Sequence, residues 1–409
     1  MEKTQYLIIG GGIAGTSAAA AIRKNDKTGT ITIISDESYP LYSRIVLSKA
    51  SVLLKKAPLE KVFLKNAKWY EEQNINLKYE KAVHLDVKNK IVALEDKNEI
   101  QFEKLLLATG TASQMWDAPG SDKEGVFYLR TLDDAKKLIE KIPSIKSAVA
   151  IGSGFISFEV MDVLINAGVK VTEVMLEPYY WYPIFNKTAG ELIEKALIKN
   201  GVIIEKNARV KKVLGKTNVE GVFLENERTI PCDTIICGIG TERDLSWLKN
   251  SGLLFERGIK ADEFLQTNIP DIFTAGDAAE YNHPILNEPV KIGNWVNSQM
   301  QGMTAGHNMS SDQKKPYALI TSYNSTGFET AVSFVGDVRP LPDRAIIPRG
   351  PEGNSYGQII VKENRVVGAI LINRGNEIAP LTKLITLKID ITSLKNKLSD
   401  ASFDLKILL

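Results

Sequence analysis

Short apolar runs that stop at a glycine occur twice in the chain, about 140 residues apart. Residues 6–9 form the first run and residues 148–151 the second, and each run predicts a buried β-strand. A helix-like segment follows each glycine turn, alanine-rich in the first case and spanning residues 155–167 in the second, and a further strand comes after each helix. The repeated order of strand, turn, helix and strand predicts two units of parallel α/β structure.

The first glycine turn has the spacing of a dinucleotide-binding loop. Gly10, Gly12 and Gly15 fit the pattern G-x-G-x-x-G, which combines a tight turn, a bare backbone and a helix N-terminus that faces the pyrophosphate. Asp36 lies about 20 residues past the turn, where a carboxylate accepts hydrogen bonds from a ribose. A secretory signal peptide is the alternative for this segment, but three adjacent glycines and the strand-rich continuation argue against it.

The second glycine turn repeats this pattern with one substitution. Gly152 and Gly154 keep the spacing, and Ser157 replaces the third glycine with a residue small enough for close packing of helix on strand. Glu177 lies about 20 residues further on, at the position expected for a ribose acid. Two dinucleotide units predict two bound dinucleotides, and the natural pair is a tightly held flavin with an exchangeable nicotinamide.

The choice between NADH and NADPH depends on a cation near the second turn. No arginine occurs between Arg130 and Arg209, so that stretch has no guanidinium for a 2′-phosphate. This absence favours NADH. NADPH stays an alternative, because Lys187 or a residue from elsewhere in the chain could supply the charge.

Two further strands end in small or acidic residues. Residues 105–107 predict a buried strand, and the small residues after it leave room for a group to approach the backbone: Ala108, Thr109 and Gly110. Residues 272–273 predict another strand, which leads to Gly276 and Asp277. A helix N-cap is the alternative role for Asp277.

Turn residues predict hairpins in two other regions. Residues 88–89 and 97–98 divide alternating apolar stretches into a small antiparallel meander. Residues 362–365 separate two strand-like runs near the C-terminus. The aromatic residues at positions 179–182 are interpreted as packing or interface residues, with stacking on a cofactor as the alternative, because burial is the commonest use of large rings.

Composition limits the class of protein. The chain has 409 residues and a net charge of +2, which is enough length for two or three domains and too little charge to indicate a nucleic acid or an acidic membrane. The chain contains no apolar run of about 20 residues, which an integral membrane segment would need. We therefore expect a soluble, cytoplasmic protein. Its two cysteines are too few for a secreted, disulfide-stapled chain and its three histidines are scattered, so we expect no metal site.

Together these features resemble the FAD-dependent pyridine nucleotide-disulfide oxidoreductase superfamily over residues 4–310, and more loosely beyond. The specific marks are the two glycine turns, the segments LLLATG and TNIPDIFTAGD, and the segment YSRIVLSK at residues 42–49. The last segment matches the Y-x-R-x-x-L-S-K pattern of ferredoxin, rubredoxin and nitrite reductase-like NAD(P)H reductases, which the chain most resembles.

The resemblance implies catalytic and cofactor-binding residues. Lys49 would approach the flavin ring and Glu159 would lie near the nicotinamide, plausibly paired with Lys49, so these two are the implied catalytic residues. Trp295 would begin a helix beside the flavin, with simple packing as the alternative role. The implied cofactor-binding residues are Gly10, Gly12, Ala14, Gly15, Asp36, Glu37, Arg44, Lys49, Val83, Ala108, Thr109, Gly110, Gly152, Gly154, Phe155, Ile156, Glu159, Glu177, Gly240, Gly276, Asp277 and Trp295.

The cysteines decide between branches of the superfamily. Cys232 and Cys237 have the spacing of the redox disulfide in the glutathione reductase-like branch, but the segment where that branch has its pair, residues 42–49 here, contains no cysteine. In a predicted strand, positions i and i+5 point to opposite faces and do not bridge easily. We interpret both as buried small hydrophobic residues, which removes disulfide and cysteine-sulfenate chemistry as favoured mechanisms.

The resemblance implies an FAD-dependent NAD(P)H:acceptor oxidoreductase. Hydride would pass from NADH to flavin N5, and electrons would then go to an acceptor, foremost a small iron-sulfur protein of the rubredoxin or ferredoxin type. The alternatives are an NADH oxidase, an NADH:quinone-type reductase and a flavoprotein scaffold without turnover. A membrane-surface quinone reductase would need an amphipathic C-terminal helix, which the broken, aspartate-containing tail does not favour. The protein is expected to be a monomer or a homodimer.

The predicted fold class is α/β, with two Rossmann-like dinucleotide-binding domains and a C-terminal α+β domain. Residues 1–112 and 242–313 are predicted to form the FAD-binding domain. Residues 113–241 are predicted to form an inserted NAD(P)H-binding domain. Residues 314–409 resemble the interface-type domain of the superfamily, and their role stays open.

Overall fold

The computed structural model describes residues 1–408. Its helices are α1 (Ile13–Asn25), α2 (Ala50–Leu53), α3 (Ala67–Glu72), α4 (Leu132–Lys141), α5 (Phe155–Asn166), α6 (Lys187–Lys199), α7 (Trp295–Ser310), α8 (Ile378–Thr386) and α9 (Lys395–Ser399). Its strands are β1 (Glu2–Ile9), β2 (Ile31–Ser35), β3 (Ile75–Tyr79), β4 (Ala82–Asp86), β5 (Ile91–Leu94), β6 (Glu99–Leu107), β7 (Ala112–Ser113), β8 (Val126–Phe127), β9 (Ser147–Ile151), β10 (Lys170–Val174), β11 (Ile203–Glu205), β12 (Val210–Leu214), β13 (Gly221–Leu224), β14 (Thr229–Pro231), β15 (Thr234–Cys237), β16 (Thr241–Glu242), β17 (Ile259–Ala261), β18 (Ile272–Thr274), β19 (Ala279–His283), β20 (Glu288–Val290), β21 (Ser322–Gly327), β22 (Thr330–Gly336), β23 (Ala345–Glu352), β24 (Ser355–Lys362) and β25 (Arg365–Ile372).

Contacts divide these elements into two compact units. The first unit consists of Met1–Ser43, Glu60–Ala112 and Glu242–Thr321. The second consists of Arg44–Leu59, Ser113–Thr241 and the residues from Ser322 onward. The second unit therefore contains the predicted NAD(P)H-binding region, most of the predicted C-terminal region and a short segment from early in the chain. Compact units need not coincide with folding domains, so the predicted domain boundaries stay predictions.

The first unit is built on a sheet with the strand order β3-β2-β1-β6-β5-β4, and β18 pairs with β6. The pairings of β1 with β2 and β6, of β2 with β3 and of β18 with β6 are parallel, so the carboxyl ends of these strands lie along one edge. Leu7, Leu105 and Leu107 are fully buried in its core. Their strands are covered on both faces there, which explains why the sequence of each of these strands ends in a continuous apolar run. Antiparallel pairing of β4 with β5 and of β5 with β6 confirms the predicted meander.

Helices α1 and α7 of this unit approach so closely that only glycine fits at their contact. A Cβ on Gly302 would lie 2.1 Å from the carbonyl oxygen of Ala14, and one on Gly306 would lie 2.3 Å from that of Ala18. A larger residue at either position would have to push the two backbones apart, which close-packed interiors resist. The close contact fixes the start of α7 relative to the start of α1.

The second unit contains three sheets. Strands β11-β10-β9-β15-β8 form a parallel sheet, β12-β13-β14 form a small antiparallel one, and β21-β22-β25-β24-β23 form the antiparallel C-terminal sheet. Glu363 and Asn364 have φ values of +48° and +56° between the paired strands β24 and β25. These left-handed residues are typical of a two-residue hairpin turn, which confirms the hairpin predicted at residues 362–365.

An aromatic cluster connects helix α5 to the C-terminal sheet within the second unit. Phe155 packs on Trp181 at 5.2 Å and on Phe334 at 5.1 Å between ring centroids. Tyr180 and Trp181 are buried, whereas Tyr182 is exposed. The interpretation of this aromatic stretch as packing is therefore confirmed for its two central residues.

A buried ion pair attaches the C-terminal tail to the same sheet. Arg349 in β23 is 1% exposed, and its Nε donates to both carboxylate oxygens of Glu377 at 3.0 Å. Its Nη1 donates to the carbonyl oxygen of Leu398 at 3.2 Å, and its Nη2 to that of Phe403 at 2.5 Å. Arg374 donates to the same carboxylate at 2.9 Å. Charge-assisted hydrogen bonds of this kind are stronger than neutral ones, so they hold the tail after α9 in place.

Within the described part of the chain, no helix combines the length and the apolar character needed to cross a membrane.

Candidate functional site

The first glycine turn lies at the carboxyl end of β1 and begins helix α1. Gly10 has a φ of +119°, and a Cβ there would lie 2.1 Å from the carbonyl oxygen of Ala108. A Cβ on Gly15 would lie 1.9 Å from the carbonyl oxygen of Gly10. The turn itself therefore requires both glycines. Gly12 differs, because a Cβ placed there would have no atom of a described residue within 4 Å apart from the neighbouring backbone of its own turn.

The space beside Gly12 fits the pyrophosphate of a dinucleotide. Gly12 is the N-cap of α1 and offers no side chain to the N–H groups of the first turn, and that turn contains no acidic residue. Unbonded N–H groups and the helix dipole together attract an anion. The protein's own packing does not require a glycine here, which is compatible with the predicted close approach of a ligand.

Asp36 and Glu37 follow β2 at the same edge of the sheet. Asp36 is exposed, so its carboxylate is accessible to a ribose. The carboxylate of Glu37 accepts a hydrogen bond from the hydroxyl of Tyr42, and its carbonyl oxygen accepts one from Ser35 at 3.1 Å. The binding roles of both acids stay predictions.

The turn at Gly276 and Asp277 lies against the start of α1. A Cβ on Gly276 would lie 3.1 Å from the Cβ of Ala14, and the N–H of Gly276 donates to the side-chain oxygen of Gln301 at 2.7 Å. Asp277 accepts a hydrogen bond from the hydroxyl of Ser298 at 3.2 Å. The fold thus places Asp277 beside the beginnings of α1 and α7. Ser298 and Gln301, which support this turn, lie in the helix start that the resemblance places beside the flavin, but they were not among the predicted site residues.

The other residues predicted for the flavin occupy several places. Ala108, Thr109 and Gly110 follow β6 at the edge where the first glycine turn lies, and Trp295 is the half-buried first residue of α7. Val83 is exposed on β4. Arg44, Lys49 and Gly240 belong to the second unit, where Nη1 of Arg44 donates to the carbonyl oxygen of Arg130 at 3.0 Å.

The second glycine turn has its own close approach. A Cβ on Gly152 or on Gly154 would lie 2.9 Å from the carbonyl oxygen of Gly238, which follows β15. Ser157 is fully buried, and a Cβ on Gly238 would lie 2.1 Å from its hydroxyl oxygen. A glycine on the neighbouring segment therefore makes room for the serine that replaces the third glycine of the pattern. Phe155 and Ile156 are the half-buried first residues of α5.

Glu177 lies shortly after β10 and carries an unsatisfied acceptor. Its Oε2 is buried without a hydrogen-bond partner among residues 1–408, and such an atom is costly unless a ligand or water bonds to it. Its neighbour Leu176 lines a cavity of about 490 Å³ together with Asn207, Ala208, Arg209, Glu225 and Asn226. Glu177 itself is not among the residues that line this cavity, and its role as the ribose acid stays a prediction.

Lys49 and Glu159 form an ion pair inside the second unit. The Nζ of Lys49 lies 2.7 Å from Oε1 of Glu159, with side-chain exposures of 33% and 9%. The hydroxyl of Ser325 donates to the same Oε1 at 2.8 Å, and the hydroxyl of Ser48 donates to Oε2. The pairing predicted for Lys49 and Glu159 is present, and their catalytic roles stay predictions. Ser48 and Ser325 were missed, since a lone serine carries no sequence signal.

Both cysteines are buried free thiols. Cys232 and Cys237 are each 4% exposed, and burial raises the pKa of both thiols to about 12. Strand β15 begins only at Thr234, so the argument from opposite faces of one strand was wrong for Cys232. Instead, both side chains pack in one apolar cluster with Val149 and Ile235. Their interpretation as buried small hydrophobic residues is confirmed.

We expect neither thiol to react in the native protein at pH 8. The thiolate is the nucleophile, and a pKa of about 12 for each thiol leaves only about 10⁻⁴ of it ionised at that pH. Alkylation by iodoacetamide should therefore modify both residues only after unfolding, and native reactivity should rise as pH approaches the thiol pKa. Arsenite, which binds paired thiols, should leave turnover unchanged. Rapid native alkylation that stops turnover would contradict the absence of a thiol relay.

Comparison with known proteins agrees with this geometry. The pattern of the family described as pyridine nucleotide-disulphide oxidoreductase matches residues 4–302. The chain is 30% identical to the nitrite reductase (NAD(P)H) of Bacillus subtilis (strain 168) over 399 residues, which are 96% of this chain and 48% of that protein. The chain thus spans about half the length of that relative. It is 33% identical to the rubredoxin-NAD(+) reductase of Pseudomonas putida over 275 residues, which are 67% of this chain and 71% of that protein.

A solved structure extends the match to the whole fold. The ferredoxin reductase for the CYP199A2 system from Rhodopseudomonas palustris superposes with a TM-score of 0.90 at 26% identity, covering 99% of each chain. This match confirms the predicted α/β fold class, and the family match confirms the predicted oxidoreductase class and its cofactor pair of FAD and a pyridine nucleotide. The chain therefore belongs to the pyridine nucleotide-disulphide oxidoreductase family.

Proposed function

We propose that this chain is an FAD-containing, NADH-dependent reductase that delivers electrons to a small iron-sulfur protein. The observation that carries the proposal is the pair of glycine turns, the first with open space at Gly12 and the second followed in the chain by the unsatisfied acceptor of Glu177. The names of relatives indicate the acceptor: one is a rubredoxin-NAD(+) reductase and one a ferredoxin reductase.

FAD is assigned to the first glycine turn. The N–H groups at the start of α1 would bind its pyrophosphate, with the open space at Gly12 admitting the phosphate oxygens. Asp36 would accept hydrogen bonds from the ribose. Asp277, oriented by the hydroxyl of Ser298, would bind the ribityl and pyrophosphate portion.

NADH is assigned to the second glycine turn. The unsatisfied Oε2 of Glu177 would accept a hydrogen bond from the ribose 2′-hydroxyl, whereas a 2′-phosphate would place negative charge beside it. Arg209 lines a cavity together with Leu176, the neighbour of Glu177, but its Nε lies 3.7 Å from Oε1 of Glu225, and this exposed carboxylate weakens the attraction of Arg209 for a phosphate. Both features favour NADH over NADPH.

The chain contributes orientation and charge to the reaction. When bound, FAD accepts a hydride from NADH and releases its electrons singly to a one-electron acceptor. We assign to the ammonium of Lys49 the stabilisation of negative charge on the flavin, and to Glu159 the orientation of both that ammonium and the nicotinamide. The contact of 2.7 Å between them holds the ammonium in place before the reaction, so little reorganisation is needed.

In this proposal no cysteine pair carries electrons from the flavin to the acceptor. The thiols of Cys232 and Cys237 have their pKa raised to about 12 by burial, so they stay protonated at neutral pH and do not mediate disulfide exchange. The acceptor must therefore take electrons from the flavin itself. A small iron-sulfur protein, which accepts one electron at a time, suits that release.

Anaerobic reduction of the purified holoprotein tests the proposal. We expect a yellow protein whose flavin absorbance bleaches with NADH at least about 10-fold faster than with NADPH at equal concentration. Rubredoxin or ferredoxin should then reoxidise the flavin faster than a quinone or oxygen does. Faster reoxidation by oxygen or quinone would favour an oxidase or quinone reductase, and a colourless protein or one that neither nucleotide reduces would overturn the proposal.

A further inference from the structure

One face of helix α5 rests on the hairpin formed by β21 and β22, within the second unit. Phe155 packs edge-on against Tyr323 at 5.7 Å between ring centroids, and Phe158 packs on Phe328 at 5.4 Å. The residues of this face are spaced as neighbours on a helix surface: Phe155, Phe158, Glu159 and Asp162. The hairpin therefore supports the turn of α5 that carries Glu159.

Ser325 connects this hairpin to the ion pair. It is 1% exposed on β21, and its hydroxyl donates to Oε1 of Glu159 at 2.8 Å. The same oxygen lies 2.7 Å from the Nζ of Lys49, and the hydroxyl of Ser48 donates to the other oxygen. Three donors from two distant parts of the chain, the adjacent Ser48 and Lys49 and the hairpin residue Ser325, thus restrain both carboxylate oxygens, and each bond is charge-assisted.

The turn of the hairpin is held in an uncommon backbone conformation. Phe328 and Glu329 have φ values of +53° and +57°, and a positive φ is rare for a bulky residue. The N–H of Phe328 donates to Oδ1 of Asp162 at 2.8 Å, while its ring packs on Phe158. Such strain persists only where the surroundings over-determine it. These contacts with helix α5 therefore fix the position of β21 relative to the helix, and with it the position of Ser325.

We propose that Ser325 is a positioning residue for the reaction: the C-terminal hairpin holds Glu159, and through Glu159 it holds the ammonium of Lys49. The inference rests on the proposed function, because it takes the Lys49–Glu159 pair to act on the cofactors. Under this inference the C-terminal sheet contributes to electron transfer by positioning Glu159, whether or not the sheet also forms a contact between subunits.

A double-mutant cycle on the holoprotein tests the inference, with the variants Ser325→Ala, Glu159→Gln and their combination. The readouts are the rate of flavin reduction at saturating NADH, the dissociation constant for NADH and the midpoint potential of the bound flavin. We expect Ser325→Ala to slow reduction about 10-fold with the dissociation constant within about twofold of wild type. Its midpoint potential should shift in the same direction as in Glu159→Gln. In the Glu159→Gln background, Ser325→Ala should add little, because it acts through that carboxylate.

Thr326→Ala is the matched control, since Thr326 is the next residue on β21 and is exposed on the opposite face. Its rate and potential should equal those of wild type. Additive effects of the two changes, or wild-type values in Ser325→Ala, would overturn the inference and leave the proposed function standing. Wild-type values in Glu159→Gln would instead remove the role proposed for the ion pair, and the inference with it.

Discussion

Replacing Lys49 with methionine is expected to slow the reduction of the bound flavin by NADH about 100-fold. Methionine keeps an unbranched side chain but removes the ammonium to which we assign the stabilisation of negative charge on the flavin. Stopped-flow bleaching of the flavin absorbance at saturating NADH measures the effect. Lys56→Met is the matched control, because Lys56 is an exposed cation in the same Arg44–Leu59 segment, and its rate should not change.

The Lys49→Met protein should remain folded, so that the rate reports the charge alone. The side chain of Lys49 is 33% exposed but that of Glu159 is only 9% exposed, so the loss of its cation should lower stability by on the order of 3 kcal/mol, and circular dichroism should show that the variant is folded. Glu159 would keep its hydrogen bonds from Ser48 and Ser325. A reduction rate within about twofold of wild type, in a protein that still binds FAD, would rule out the electrostatic role of Lys49.

Replacing Arg349 with methionine is expected to lower the apparent free energy of unfolding by about 3–5 kcal/mol. Arg349 is 1% exposed, so methionine would fill much of its volume but none of its hydrogen bonds. The carbonyl oxygens of Leu398 and Phe403, which now accept from the guanidinium, would lose those bonds, and unsatisfied buried acceptors are costly. Guanidinium chloride unfolding, followed by circular dichroism, measures the change.

Arg365→Met is the control for that experiment, because Arg365 begins the neighbouring strand β25 and is exposed. Its unfolding free energy should stay within about 0.5 kcal/mol of wild type. Glu377 would keep its bond of 2.9 Å from Arg374 in the Arg349→Met protein, so the carboxylate would not be left without a cation. Equal stability of the two variants would show that the tail is held by its apolar contacts instead.

The features predicted well from sequence are those whose physical cause is local. Gly15 is required by its contact with Gly10 inside the same turn, and Gly10 is required by the positive φ of that turn as well as by its contact with Ala108, so the local spacing carries most of the information. The hairpin at Glu363 and Asn364 depends on two residues with positive φ, and turn chemistry marks it in the same way. Periodicity and glycine spacing therefore predicted both parallel sheets and the glycine turn that follows the first strand of each repeat.

The features missed depend on contacts between distant residues. Ser48 is 111 positions from Glu159 and Ser325 is 166 positions from it, so no local pattern indicates that they bond to one carboxylate. Cys232 was placed inside a strand that begins two residues later, because strand boundaries follow tertiary pairing more than propensity. The contact of α1 with Gly302 also joins residues that are far apart in sequence, so no local pattern predicts it.

Several predictions stay open to experiment. These are the roles of the individual site residues, the boundaries of the three domains, the cytoplasmic location and the choice between monomer and homodimer. The oligomeric state can be measured directly by sedimentation, and the boundaries by limited proteolysis. Neither result would alter the assignment to the family, which rests on the match over residues 4–302.

The open space at Gly12 separates two kinds of damage that a mutation can do. Its φ of −72° is accessible to any residue, and apart from the neighbouring backbone of its own turn a Cβ there meets none of the described residues within 4 Å, so an alanine would strain neither the backbone nor the packing. Changes at Gly10 or Gly15, in contrast, would disturb the turn itself. If FAD binds at this turn as proposed, a substitution at Gly12 should leave a folded protein that no longer binds flavin, whereas one at Gly10 or Gly15 should also destabilise the turn.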